Sequence, residues 1–362
     1  MDLEERLQLV MRNTEEVVTP PEMRRLLEEN PHPHAYWGFE CSGLMHIGTG
    51  LVCGSKIKDM LEAGFKFTIF LADWHSWINN KFGGDMEKIR FAGEYFKHCF
   101  TALGVKGERL RFVWASELVE DSEYWEKVIR IAKAVSLRRT MRALPIMGRT
   151  MGLADFETAW LVYPCMQAAD IFYMNVDVAC AGIDQRKVHM LARDVAEKRG
   201  WRKPICLHTH LIMSLRGPES RMEGKFDENE EVDFQIGVKM SKSIPQSAIF
   251  VHDSPEEIRK KIRGAYCPPQ EAHGNPVLEL AKYVVFTHMD TLHINRPQKY
   301  GGAITYNSYE ELEKDYLAGR LHPLDLKEGV AESLIEILAP VREYFKGREK
   351  IIERMLSMEI TR

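Results

Sequence analysis

The sequence predicts an α/β fold: a doubly wound parallel sheet with a helical insertion, followed by a smaller, mostly α-helical C-terminal domain. Three observations carry this. Strand-sized apolar runs alternate with helix-like segments over residues 35–116 and resume at 176–212. Residues 122–175 interrupt the alternation with helical patterns, and from Asp253 onward the patterns are helical again. The length of 362 residues fits roughly two domains at ~150 residues each.

Residues 1–30 read as two short helices, the second opened by Pro20 and Pro21. AYWGFE (35–40) reads as a strand running into a Ser42-Gly43 turn. From His46 a helix-like segment extends to about Ala63, where Gly64 can end it. FKFTIFLAD (65–73) is a second strand, followed by a loop holding Gly83 and Gly84 and a helix from Asp85 to Leu103. LRFVWAS (110–116) is a third strand, and this order puts sites at the carboxyl ends of the strands. After the helical stretch, VDVACAG (176–182) is a strand and DQRKVHMLARDVAEKRG (184–200) a helix closed by Gly200. PICLHTHLI (204–212) is the last strand candidate. RGPESRMEGKFDENEEVDFQIG (216–237) is polar, acidic and aperiodic, and reads as a loop or surface insertion. DSPEEIRKKI (253–262) carries a helix start, with Ser254 ahead of Pro255 and two glutamates.

At 45% hydrophobic and 28% charged, the composition excludes wholesale disorder, a collagen-like repeat and a disulfide-stapled miniprotein. No apolar run approaches the ~18 residues needed to cross a bilayer. The first residues, MDLEERLQLVMRNTEE, lack the basic and apolar regions of a signal peptide. Seven cysteines stand singly with no CxxC pair, which leads us to expect reduced thiols, a cytoplasmic protein and no cysteine zinc site. The net charge of −4, from 49 basic and 53 acidic residues, gives no overall basic excess for nucleic acid. Arg138, Arg139, Arg142 and Arg149 nevertheless cluster, and the cluster admits two readings: a phosphate-facing patch or a solvated helix face.

Three segments carry chemistry. GLMHIGTG (43–50) lies at a strand-to-helix junction, where glycines admit a ligand to the backbone and a helix N-terminus offers unpaired N–H groups to phosphate. GVKMSKS (237–243) presents lysines that can follow charge developing on a phosphate. In YPCMQAADI (163–171), Pro164 can open a helix, and Tyr163, Gln167 and Asp170 fall at i, i+4 and i+7 on one face. A polar stripe around Ala168 and Ala169 suits a small polar ligand. AGIDQ (181–185) follows a strand, with Gly182 permitting close approach and Asp184 placed like an acid that binds a ribose hydroxyl.

Taken together, HIGTG and an intact KMSKS in this order and spacing resemble the paired signature of class I aminoacyl-tRNA synthetases. From about Tyr36 onward the chain resembles tyrosyl-tRNA synthetases of the archaeal and eukaryotic-cytosolic branch, through AYWGFECSGLMHIGTG, LADWHSWIN, YPCMQAADI, AGIDQRKVHMLARD, VKMSKS, DSPEEIRKKIRGAYCP and LHPLDLK. Beyond the N-terminal helical segment (1–30), which it covers only weakly, the resemblance implies a Rossmann-like catalytic domain (31–250) with its insertion at about 120–175, and a helical anticodon-binding domain (251–362). It implies a cytoplasmic tyrosine–tRNA ligase that uses ATP with Mg²⁺, acts on tRNA(Tyr), pairs as a homodimer through the insertion, and needs no protein-bound metal. Tyr36 and Asp170 would bind the substrate phenol, and Tyr163, Gln167 and Gln185 its amino group; tryptophanyl relatives carry proline where Asp170 stands. Gly38, His46, Gly48, Gly182, Asp184 and Lys242 would hold ATP, and His46, Thr49, Lys239 and Lys242 would stabilise the departing pyrophosphate. Arg138, Arg139 and Arg142 would meet the acceptor stem, while Tyr300, His322 and Asp325 would meet the anticodon.

The sequence departs from the pattern at Thr49, which replaces the second signature histidine and can never be cationic, and at Cys41, where proline is common. Two positions keep a second reading. His75 either lines the tyrosine pocket or is an ordinary satisfied histidine, and Asp325 either reads the anticodon or is a favourable acid in a first helical turn. Tryptophan specificity, another adenylyl transferase, and a non-catalytic RNA-binding relative are the alternatives for the whole chain.

Overall fold

A computed structural model describes residues 1–144 and 157–358. Six strands form the central sheet: β1 (Glu16–Val18), β2 (His34–Phe39), β3 (Lys66–Leu71), β4 (Leu110–Trp114), β5 (Val178–Gly182) and β6 (Ile205–Thr209). Their order across the sheet is β1-β6-β5-β2-β3-β4. The strands from β2 to β6 are parallel, as their helical crossovers require. The chain steps outward from β2 to β4, returns through the insertion, and adds β5 and β6 on the other side. The crevice between β2 and β5 is therefore the switch point where an open α/β sheet binds ligands.

The pleat sorts side chains between two layers. Trp37 and Phe39 of β2 and Ile69 of β3 join a core that runs from Leu7 and Val10 to Leu334 and Met355 without a break. Tyr36 and Phe70 point the other way, into a second cluster with Tyr124, Trp160 and Val188 that seats the insertion. C-terminal side chains such as Val284, Leu326 and Leu334 belong to the first of these clusters, together with the strands.

Helix ends follow their capping chemistry. Ser254 accepts the backbone N–H of Glu257 while Glu257 reaches back to the N–H of Ser254, a capping box that opens helix Pro255–Arg263. Gly200 closes helix Arg186–Arg199 at φ +66°, a conformation costly for a residue with a Cβ.

Several expectations need correction. The 216–237 segment is not a plain loop: it holds a short turn, Gly217–Ser220, and enters helix Glu230–Val238. Asn229 caps that helix by accepting from Glu231 and Val232, and the Asp233 carboxylate gathers the backbone N–H groups of Phe226 and Asp227. Acidic composition hid a helix that is held by caps rather than by a wide apolar stripe. Between the two N-terminal helices lies β1, which runs antiparallel to β6 and makes the sheet mixed. Residues 73–78 form a helix of one and a half turns, and β7 (Leu292–Ile294) pairs with β8 (Ile304–Tyr306) as a hairpin within the mostly helical C-terminal region. Pro164 does not open its helix but lies inside Thr158–Tyr173. Arg149 lies outside the described residues.

Candidate active site

A cleft of about 310 Å³ opens at the carboxyl ends of β2, β3 and β5. At one end Tyr36, from β2, and Asp170, from helix Thr158–Tyr173, are both nearly fully buried and both line the cleft. Tyr124 donates its hydroxyl to Asp170 Oδ1 at 2.8 Å, and His75 Nε2 stands 3.1 Å from Oδ2. Burial opposes a charged His75, yet the Asp170 carboxylate more than offsets this and its pKa is raised. A turn earlier on the same helix, Gln167 donates to Gln185 at 3.1 Å and keeps its own side-chain carbonyl without a partner. Tyr163 donates to Glu40 Oε1 at 2.8 Å, as does the Asn79 amide, and Lys81 lies 3.5 Å from the other oxygen. Burial raises the Glu40 pKa, but Lys81, Asn79 and Tyr163 outweigh it and hold the carboxyl below its ordinary range. The pocket thus offers a carboxylate near two phenols at its floor and a second carboxylate with two amides at its mouth. That pattern is complementary to a phenol at one end of a ligand and an ammonium at the other.

The opposite half of the cleft is built from the two signature loops. After β2 the chain passes His46 and enters a π-helical turn, Gly48–Cys53, a distortion common at functional sites. A Cβ at Gly48 would lie 3.0 Å from the His46 ring, so the glycine keeps that ring in place. Burial, with Lys242 and Lys239 nearby, pulls the His46 pKa to about 3, and its Nδ1 has no partner. His46 is a neutral hydrogen-bonding group here. Ile47 donates to Ile249 and Val251 to Met45, so the first signature is stitched to the strand-like segment that follows the second. At the start of KMSKS, Ser214 donates to Val238 and Met240 to Ile212.

Both lysines of the second signature are engaged. Lys239 sits 2.7 Å from Asp184, and Lys242 donates to the Ser42 carbonyl and to its hydroxyl at 2.5 Å. Burial and the Lys81 charge lower the Lys242 pKa to about 7. Gly38, Thr49 and Gly182 line the same cleft. A Cβ at Gly182 would meet Asp184 and Leu211 at 2.7 Å, which fits a backbone kept bare for close approach. On the far wall His210 stacks on Tyr283 with centroids 4.0 Å apart and joins Glu15 at 2.6 Å to Glu279 at 2.8 Å. Burial disfavours its charge, but the two carboxylates prevail and raise its pKa to about 9.

The structure brings every residue expected to hold tyrosine or ATP into this one cleft. The residues expected to touch tRNA lie elsewhere. Arg138 is exposed, Arg139 is paired with Asp194 and Arg142 with Glu228, both at 2.9 Å. Tyr300 is 61% exposed beneath the Lys299 ammonium, and Arg296 ties its loop to the carbonyls of Gly302 and Arg320. His322 caps helix Pro323–Ile337 by accepting from Leu324, and Asp325 stands in its first turn without a capping box.

Sequence reasoning missed Glu40, Lys81, Ser42 and Tyr124. Glu40 had a usable signal, an acid at the carboxyl end of a central strand. Tyr124 had none, since it reaches Asp170 across 46 residues of chain.

The profile of the class I tRNA synthetases (W and Y) matches residues 28–339. A tyrosine–tRNA ligase of Aeropyrum pernix is 52% identical over 343 residues, covering 94% of this chain and 93% of its own. One from Pyrococcus furiosus is 48% identical over the whole of both chains. The crystal structure of tyrosyl-tRNA synthetase complexed with L-tyrosine from Pyrococcus horikoshii superposes with a TM-score of 0.90 at 46% identity, covering 99% of this chain and 100% of that one. With the profile spanning most of its length and such relatives matching it end to end, the chain belongs to the class I tRNA synthetases of the tryptophan and tyrosine group.

Proposed function

We propose that the chain is a tyrosine–tRNA ligase: it joins L-tyrosine to ATP as tyrosyl-adenylate and passes the tyrosyl group to the 3′-terminal adenosine of tRNA(Tyr). The observation that carries tyrosine over tryptophan is the buried Asp170 carboxylate beside Tyr36 at the floor of the cleft. A phenol hydroxyl at the far end of a ligand's ring can donate to a lone pair of this carboxylate that Tyr124 and His75 leave open, which a bare phenyl ring cannot do. An indole carries its N–H on the side of its ring system rather than at the far end. Tyr163, Gln167, Gln185 and Glu40 receive the amino group, which turns the substrate carboxylate toward His46.

The carboxylate then attacks the α-phosphate of ATP and pyrophosphate leaves. No protein nucleophile is required, so positioning and charge stabilisation carry the rate. Asp184 and Gly182 take the ribose, and Gly38 and Gly48 admit the phosphates to the backbone. His46 and Thr49 donate neutral hydrogen bonds to the phosphates, and Lys239 and Lys242 follow the charge on the departing pyrophosphate. Mg²⁺ arrives with ATP as part of that substrate. In the second step a hydroxyl of the terminal adenosine displaces AMP. Arg138, Arg139 and Arg142 guide the acceptor stem, and Tyr300, His322 and Asp325 read the anticodon. The enzyme works as a cytoplasmic homodimer joined through the insertion; among the described residues no helix is long and apolar enough to cross a membrane.

The test is ATP–pyrophosphate exchange with single amino acids. Exchange should depend on tyrosine and be far weaker with phenylalanine or tryptophan. Exchange driven best by tryptophan would reassign the specificity, and no exchange with any amino acid would point to a non-catalytic relative.

A further inference from the structure

Helix Asp73–Ile78 and the insertion each send one side chain to the same carboxylate. We propose that His75 and Tyr124 are the positioning residues that make Asp170 selective for a phenol, by gripping its two oxygens from opposite sides and leaving their remaining lone pairs to the incoming hydroxyl. The proposal rests on the reading of this pocket as a tyrosine site.

The geometry gives each partner one oxygen: Tyr124 donates to Oδ1 at 2.8 Å, and His75 Nε2 is 3.1 Å from Oδ2. The His75 side chain is 2% exposed, Nδ1 has no partner, Nε2 faces Oδ2 as an ion-pair contact rather than an aligned hydrogen bond, and its ring stands T-shaped to Phe70 and Tyr163 at interplanar angles of 80° and 88°. A histidine kept only for packing would not place a polar atom against the one carboxylate at the pocket floor. The charged groups that act on it are Asp170 from helix Thr158–Tyr173, Glu40 from the end of β2, and Asp73 from its own helix. All three are acidic, and together they favour the imidazolium.

This arrangement decides which way Asp170 can accept. Tyr124 holds Oδ1 and His75 faces Oδ2, so the plane of the carboxylate is fixed and its remaining lone pairs are left to the incoming hydroxyl. Tyr36 completes the ring of groups around the phenol.

The test compares the wild type with His75→Gln and Tyr124→Phe in ATP–pyrophosphate exchange, with tyrosine and with phenylalanine, across pH. In His75→Gln the tyrosine KM should rise about tenfold or more, the tyrosine-to-phenylalanine ratio of kcat/KM should fall by a similar factor, and the ATP KM should stay near the wild-type value. The wild-type kcat/KM for tyrosine should fall as His75 loses its proton, above the ordinary histidine range, and in His75→Gln that fall should be absent. Tyr124→Phe, which removes only a hydroxyl, should lower the ratio but keep the wild-type pH profile. A His75→Gln enzyme with the wild-type ratio and profile overturns the proposal while tyrosine activation stands. If that variant does not fold, an unchanged ratio in Tyr124→Phe overturns it equally. Failure of the wild type to activate tyrosine removes both the proposal and the reading beneath it.

Discussion

The ammonium of Lys242 has shed much of its water before any substrate arrives. With its pKa drawn down to about 7, the free enzyme carries this charge at acidic pH and loses it as pH rises through about 7. On the proposed reading, polyphosphate binding would restore the proton. The kcat/KM for ATP in pyrophosphate exchange should therefore decline as pH rises through about 7, while kcat, which reports the bound state, holds to higher pH. A kcat/KM profile flat on both sides of pH 7 would show that Lys242 does not meet the phosphates. Lys242→Ala should slow single-turnover adenylate formation and leave tyrosine affinity nearly unchanged, since the proposed contact belongs to the transition state. At the other end of the cleft, Asp170→Ala and Tyr36→Phe should each weaken tyrosine selection by about 1–3 kcal/mol with little effect on ATP binding. Equilibrium binding of tyrosine and of ATP to the two variants separates these effects.

Between elements, one contact with a clear pH linkage is the imidazolium clasp of His210, which joins residues next to β1 and β6 to helix Pro276–Leu280. Its folded pKa of about 9 lies above the ordinary value of 6.5. The stability it contributes is therefore complete below pH 6.5 and is lost as pH rises through about 9. The shift corresponds to an order of magnitude of ~3 kcal/mol. Denaturant unfolding below pH 6.5 and above pH 9 should show a wild-type decrease that His210→Gln lacks. In helix Pro323–Ile337, Asp325→Ala should reduce tRNA charging and narrow the difference between wild-type tRNA and a transcript altered at the first anticodon base. Exchange without tRNA should stay intact. Loss of exchange together with a lower Tm would instead make Asp325 a helix-stabilising acid.

These elements also show what could be read in advance. The parallel strands were legible because burial on both faces leaves apolar runs such as FTIFL, and the 163–170 stripe because helical spacing alone aligns Tyr163, Gln167 and Asp170. HIGTG and KMSKS were legible as a pair although each is weak alone. Strand β1 was not, since three residues cannot show an alternation, and helix Glu230–Val238 was masked by acidic flanks. The partners of Asp170 and Glu40 stayed hidden because Tyr124 and Tyr163 reach them across chain separations that no local pattern encodes.

For the molecule as a whole, the stitching of both ends of the KMSKS segment has a consequence for chain continuity. Val238 and Met240 are bonded to residues 212–214 on one side, and Ile249 and Val251 to Met45 and Ile47 on the other. A single scission engineered between Ser243 and Gln246 would leave two stumps that are each already sewn to the first fragment, above a core that both fragments share. Every side chain assigned to tyrosine precedes the break, whereas Lys242 loses the tether that aims it. The cut enzyme should therefore travel as one particle in gel filtration and keep its tyrosine affinity, yet form adenylate slowly. Fragments that part without denaturant would show that the covalent loop, rather than the backbone stitches, holds the two pieces together.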